Sequence, residues 1–473
     1  MNRRWPALVV LAVAVATLAG ASVWRDAPSP SSPLRAAPLS ATPQAGRARN
    51  ATWYCAAGTA ARGAAFNSTV LIASVDTQLR RGTITWFPSA GKPVSLPFQV
   101  QPNTVVSFVA ADTVTAPVVS ALVEIDGGDV AVEHAISGAS GSSVAPCANE
   151  ASSKWYVAEG VTDRDAHEVL ALFNPFPDTA VVDIDFATDQ GRAQPRDVQG
   201  LPLPPRSTTF VNVQDIVRRR AVVAASVVAR TGRLVVDRIQ LFDATAGRAG
   251  VSLAVAAARG DTTWRFPDGL FQFGLAEQWH IYNPTDDEAA VTLTVTPVTG
   301  DAPDPLQIAV PRHAIATVDA GQAKVPAAIA HSSVVESQNG VPVIVERTLD
   351  ARRPAPRVGW SSMVGAPVTA TRWLFAAGEA NTNTDEWMVL QNPGTTSVTV
   401  SLLALADGFQ LPIEDAHDLT VPPNGRLAVR LGDHITRSPL PLLVVSSGPV
   451  VAERDAFALK RAGVSAVAGV PLP

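Results

Sequence analysis

Charge is scarce in this chain. Charged residues make up 17% of its 473 residues, and the formal net charge is −5. No basic stretch with interleaved aromatics occurs, so the sequence lacks the electrostatic footprint of a nucleic-acid-binding protein. The seven histidines (134, 167, 280, 313, 331, 417 and 434) are scattered, with no HExxH and no His–Cys cluster, so the common zinc patterns are missing. Asp163-Arg164-Asp165 and Asp286-Asp287-Glu288 do not have EF-hand spacing and read as solvated loop charge. There is no nucleophile elbow, P-loop or dinucleotide fingerprint. No catalytic residue, metal or cofactor is expected. After residue 24, no run is apolar enough to cross a bilayer as a helix.

The chain does contain a repeat. A unit of roughly 105 residues is written four times. The units open at Trp53, Trp155, Trp264 and Trp373, each followed five residues later by a glycine: Gly58, Gly160, Gly269 and Gly378. Three units carry Asn-Pro nineteen residues after the Trp, at Asn174, Asn283 and Asn392, and each is expected to end a strand and start a turn, with the Asn capping its own backbone. Further on come an acid and an arginine: Asp237-Arg238, Glu346-Arg347 and Glu453-Arg454. The first unit is degenerate, with Ser74-Val75 and Glu133-His134 at these places. Terminal repeats are commonly atypical.

Arg3 and Arg4 precede the uncharged apolar stretch 5–24. Its length suits a span with the N-terminus in the cytoplasm. Residues 1–24 therefore read as a signal anchor, and the small residues Ala19-Gly20-Ala21 leave a cleaved signal peptide as the alternative. Either way the rest is expected outside the cytoplasm, as a single-pass membrane protein or a secreted one. Residues 25–50 hold five prolines and no aromatic, a composition that makes an extended tether. Cys55 and Cys147 stand near the two ends of the first unit. In an oxidising compartment they are expected to bond to each other.

Within a unit the apolar runs are short and rich in Val, Thr, Ile and Phe, as in HEVLALF, TAVVDIDFA and LVVDRIQLF of the second. Turn residues separate them. The pattern predicts an all-β chain of four tandem immunoglobulin-like antiparallel β-sandwiches, at 51–150, 151–260, 261–369 and 370–473. A short turn of helix is expected from Val213 to Arg220. A β-propeller is the competing architecture, and the unit is too long for one blade.

The opening WYVAEG, the E-x5-N-P of Glu168 to Pro175 and the closing acid–Arg resemble an uncharacterised family of actinobacterial secreted or membrane-anchored proteins, known as a domain of unknown function. The resemblance covers residues 53–473. It implies β-sandwich modules at the cell surface and supplies no catalytic residue.

A glutamate lies six residues before each Asn-Pro: Glu168, Glu277 and Glu386, with Ser68 in the first unit. The units with this glutamate are those with the arginine, so Glu168–Arg238, Glu277–Arg347 and Glu386–Arg454 are expected to be ion pairs inside each sandwich. The same acids would suit a glycoside hydrolase, but an acid beside Arg is held ionised and makes a poor proton donor. The opening tryptophans are expected in the core or between domains. Trp279 and Trp387 fall out of register and are the candidate ligand contacts. The leading reading is a non-enzymatic envelope protein with a structural or protein-interaction role, its four sandwiches projecting from the tether. A glycan-binding array is the alternative, and a hydrolase the second alternative.

Overall fold

Alternation builds the strands. In the strand Ala180–Thr188, buried Ala180, Val182, Ile184 and Phe186 alternate with half-buried Val181, Asp183 and Asp185. Period two puts the aspartates on the solvent face, where they meet Arg230 (2.7 Å) and Arg192 (2.6 Å). The computed structural model describes residues 50–473 apart from Arg62, Ala64 and Ala65. The expected anchor at 1–24 and the tether up to residue 49 lie outside the described residues. No helix among the described residues is long and apolar enough to cross a membrane.

Module 1 contains β1 (Asn50–Cys55), β2 (Phe66–Ser74), β3 (Arg80–Pro88), β4 (Val94–Val100), β5 (Thr104–Val109), β6 (Val119–Asp126), β7 (Val130–Gly138) and β8 (Gly141–Pro146). They form two antiparallel sheets, an outer one ordered β1-β6-β3-β4 and an inner one ordered β5-β2-β7-β8. Modules 2 and 3 repeat both orders. In module 4 one long strand, Leu442–Ala458, does the work of β6 and β7: residues 442–446 pair in the outer sheet and 451–458 in the inner one. The sandwich is as expected. Its strand order is not that of an immunoglobulin constant-type domain, where the first two strands share a sheet; here β1 and β2 lie in different sheets. The expected helical turn is present and short, Val213–Ile216.

The periodic residues have local structural jobs. Asn174 Oδ1 accepts a hydrogen bond from the N–H of Phe176, while its Nδ2 donates to the carbonyls of Asp178, Leu203 and Pro204. One side chain thus ties two neighbouring turns together, and Asn283 and Asn392 do the same. The opening tryptophans are buried. The indole N–H of Trp155, Trp264 and Trp373 donates to the carbonyl of Leu234, Val343 and Val450 respectively. Cys55 and Cys147 form the expected disulfide, which joins the end of β1 to the segment after β8.

The four modules close into a ring. The last inner-sheet strand of each, Gly141–Pro146, Ala249–Val255, Gly359–Val364 and Val464–Ala468, packs against the next, and that of module 4 packs against that of module 1. A repeated hydrogen bond fixes each step: the N–H of Leu253, Ser362, Ala466 and Val144 donates to the hydroxyl of Ser143, Ser252, Ser361 and Ser465 respectively. Cores run across module boundaries. Ala56, Phe87 and Ala145 of module 1 belong to one apolar cluster with module 2, and Leu374, Leu405 and Val470 of module 4 belong to one with module 1. Because apolar burial is shared in this way, residues 50–473 are expected to unfold in one calorimetric transition. Resolved transitions for separate modules would contradict the shared core.

Candidate functional site

The acids that precede the arginines lie on β7 and its counterparts. Each points out of its own module into the preceding one. Glu346 accepts from the N–H of Ala158 (2.8 Å) and lies 3.2 Å from Arg238, both in module 2. Glu453 accepts from the N–H of Asp268 (3.2 Å) and from Arg347 (2.6 Å) in module 3. Glu133 closes the ring: it accepts from the N–H of Ala377 (2.6 Å) and lies 3.5 Å from Arg454, both in module 4. Asp237 reaches the N–H groups of Ala56 (2.7 Å) and Ala57 (2.8 Å) in module 1, with His134 at 3.5 Å in place of an arginine. The four acids, the three arginines and His134 are all almost fully buried. Each arginine therefore meets a neighbour's acid, and Arg238 also pairs with Glu159 of its own module at 2.5 Å. Arg238 and Arg454 also hold their own loop, through the carbonyls of Glu159 and Ala377.

This arrangement corrects the expected ion pairs. Glu168–Arg238, Glu277–Arg347 and Glu386–Arg454 are not direct pairs. Glu168 is paired in register with Gln240, two residues from Arg238, and its carboxyl is turned beneath Gly160, where a Cβ would collide with it. Glu277 pairs instead with His331 (2.9 Å). Glu386 accepts from the N–H of Glu379 (3.0 Å). In module 1 the small Ser68 takes this place and accepts from Thr59 N–H. The periodic glycine is thus the seat of the periodic glutamate, a link the spacing alone did not reveal.

Burial sets the protonation of these clusters. It pushes Glu168 well above the usual carboxylate range, against the attraction of Arg238. Burial likewise raises Glu159, Asp237 and Glu386 to about 7, against Arg238 for Glu159, the Ala57 and Ala56 amides for Asp237 and Arg454 for Glu386. It lowers His134 to about 4 and His280 to about 3.

The aromatic ligand candidates divide. Trp279 is fully buried, its indole N–H on Ser333 (2.9 Å), and is a core residue; Trp86 and Trp360 are buried too. Trp387 is half-buried and lines a cleft between modules 3 and 4. The cluster of potential metal ligands among the described residues is Cys55, His134 and Cys147, and its cysteines are joined in the disulfide.

Residues 126–258 match the model of DUF5719, a family of unknown function. That segment holds the two inner strands that end module 1 and nearly all of module 2. No curated protein matches the chain. Among solved structures, Thermotoga maritima 1070 is similar at 19% identity, covering 22% of this chain and 93% of that one, with a TM-score of 0.21. The Anabaena sensory rhodopsin transducer is similar at 24% identity, covering 19% and 87%, with a TM-score of 0.17. A tetra-tandem repeat from the extending region of a large adhesion protein covers 84% of this chain and 96% of its own at 14% identity, with a TM-score of 0.11. No function carries over from likenesses of this size.

Two outcomes follow from the junctions. Glu346→Ala leaves the Ala158 N–H without its acceptor and Arg238 with Glu159 alone, and is expected to cost about 1–3 kcal/mol in denaturant unfolding; a loss under about 0.5 kcal/mol would mean the contact is incidental. The second outcome concerns pH. Between the unfolded carboxyl range and about 7, the folded state binds the extra protons of Glu159, Asp237 and Glu386, so their contribution falls as pH rises. His134 and His280 act oppositely, but only below the unfolded histidine range. The protein is therefore expected to melt higher at about pH 6 than at about pH 8. Glu168→Gln, which mimics the protonated acid, should reduce that difference. A melting temperature that rises across this interval would refute the assignment.

Proposed function

We propose that the chain is a non-enzymatic envelope protein whose ectodomain is a rigid single-chain ring, with a structural or protein-interaction role. One observation carries this reading: the residues repeated from module to module are consumed by the architecture. The Trp closes a core, the Asn ties two turns, the Gly seats the Glu, and the acid and arginine join one module to the next. An array of equivalent binding sites needs repeated residues left exposed, since linked weak sites act by avidity, and the repeated tryptophans are buried. The repeated carboxyls sit in packed junctions rather than as one spaced pair in an open cleft, which disfavours them as the acids of a glycoside hydrolase.

The N-terminal sequence and the Cys55–Cys147 bond support a place outside the cytoplasm, held by an N-terminal helix or secreted. The wide shared interfaces support rigidity, because modules with a common core cannot swing independently. A platform of this kind would present loops at fixed spacing to a partner protein.

The test is retention of the oxidised ectodomain, residues 51–473, on purified cell-wall polysaccharide. None is expected. Saturable retention that free polysaccharide competes away would transfer the reading to glycan binding.

A further inference from the structure

Four copies of one module separate what the fold requires from what one copy adds. Two residues past the junction acid, modules 1 to 3 carry Ala135, Ile239 and Thr348; module 4 carries Asp455. Four residues past it stand Ser137, Leu241 and Asp350, against Phe457. Beside the glutamate position stand Thr69, Val169 and Gln278, against Trp387. Register sets Trp387 directly opposite Asp455 on adjacent strands, and Phe457 shares that face. Together they floor a cleft of about 530 Å³ between modules 3 and 4, walled opposite by Leu275, Leu349 and Pro356. That size is ordinary for a small-molecule site.

The charges in the cleft are unevenly satisfied. Glu453 has Arg347, Asp268 has Arg426, and Asp385 has both Arg357 and Arg430. Asp455 is 1% exposed, no N–H or hydroxyl donor among the described residues reaches either of its oxygens, and its hydrogen-bonding neighbour is another buried acid, Glu453. Burial, then repulsion from Glu453 and Asp268, pushes it well above the usual carboxylate range, only partly countered by Arg347. A buried acid held only by another buried acid is costly, and three modules fold with uncharged side chains at this position. The aromatic floor already carries one cation: the Arg357 guanidinium lies 4.0 Å from the Phe457 ring centre and 5.9 Å from that of Trp387. Aromatic faces attract positive charge.

We propose that this cleft binds a small organic cation, an ammonium group on an aryl or alkyl body, with the ammonium on Asp455 and the body against Trp387 and Phe457. A ligand site goes beyond the scaffold role and does not depend on it. Bringing in the cation ionises Asp455, so binding releases a proton to solvent.

Calorimetric titration of the full chain with 2-phenylethylammonium chloride tests this, with 2-phenylethanol as the uncharged comparator. The expected result is one saturable site whose heat varies with buffer ionisation enthalpy, and a weaker or absent response to the alcohol. Asp455→Asn and Trp387→Leu should each weaken binding about tenfold or more. Asp455→Asn should melt no lower than the parent, because it removes an uncompensated buried acid, so its effect on binding can be read on folded protein. Equal affinity for the alcohol, unchanged affinity in Asp455→Asn, or no saturable heat up to about 10 mM ligand would overturn the proposal.

Discussion

The structure depends on a buried carboxylate that finds its partners in another module. Glu346 illustrates the constraint. Withdrawn from water, it needs donors, and its own sandwich supplies one, the hydroxyl of Ser362. The arginine and the amide come from module 2. A charge buried at a boundary is tolerable only while that boundary stays closed, so each junction acid makes its module conditional on the preceding one. Carried round four times, the condition has a geometric consequence. In an open row of modules, Glu133 would have no preceding arginine and Arg454 no following acid. Closure satisfies both at once, and the shared apolar clusters and central serine contacts follow the same cyclic order.

Module 1 shows what happens when the pattern is relaxed. It lacks the arginine and the periodic glutamate, so the acid arriving from module 2 meets a neutral histidine instead of a guanidinium. Asp237 is then held by two backbone amides, and burial raises it to about 7. The loop bearing those amides directly follows Cys55, whose bond to Cys147 ties it to the end of the same module. A covalent tie thus stands beside the junction that lacks an ion pair, which supplies a physical reason for finding the only cysteines there.

Much of this was legible in the sequence. Alternation and turn residues gave the strands, the spacing gave four copies, and Asn174 was readable as a turn-capping side chain. The partner of each arginine was not. In a repeat, a contact within one copy and a contact to the next copy leave the same periodic signal, because both residues recur with the same spacing. Glu168 and Glu346 are equally in phase with Arg238, and only the packing of modules chooses between them. Strand order was hidden for a similar reason, since alternation records which face is buried and not which neighbour a strand pairs with. Trp279 misled differently: being out of register with the other copies did not make it exposed, because its strand uses a larger side chain to fill the same core.

Departure from register carries information only when it is expensive. Trp279 replaces smaller neighbours inside a core and finds a hydroxyl for its indole N–H, so it costs little and implies nothing beyond packing. Asp455 replaces Ala, Ile and Thr at a position where the fold is content with any of them, and it gains in return only another buried acid, Glu453. Its neighbours in the cleft do not share the fault, for Glu453, Asp268 and Asp385 all have guanidinium partners. A carboxyl matched only by another acid, beside two aromatic rings that line a cleft, is where stability has been given up without a structural return. The interaction that would recover it has to arrive from outside the chain.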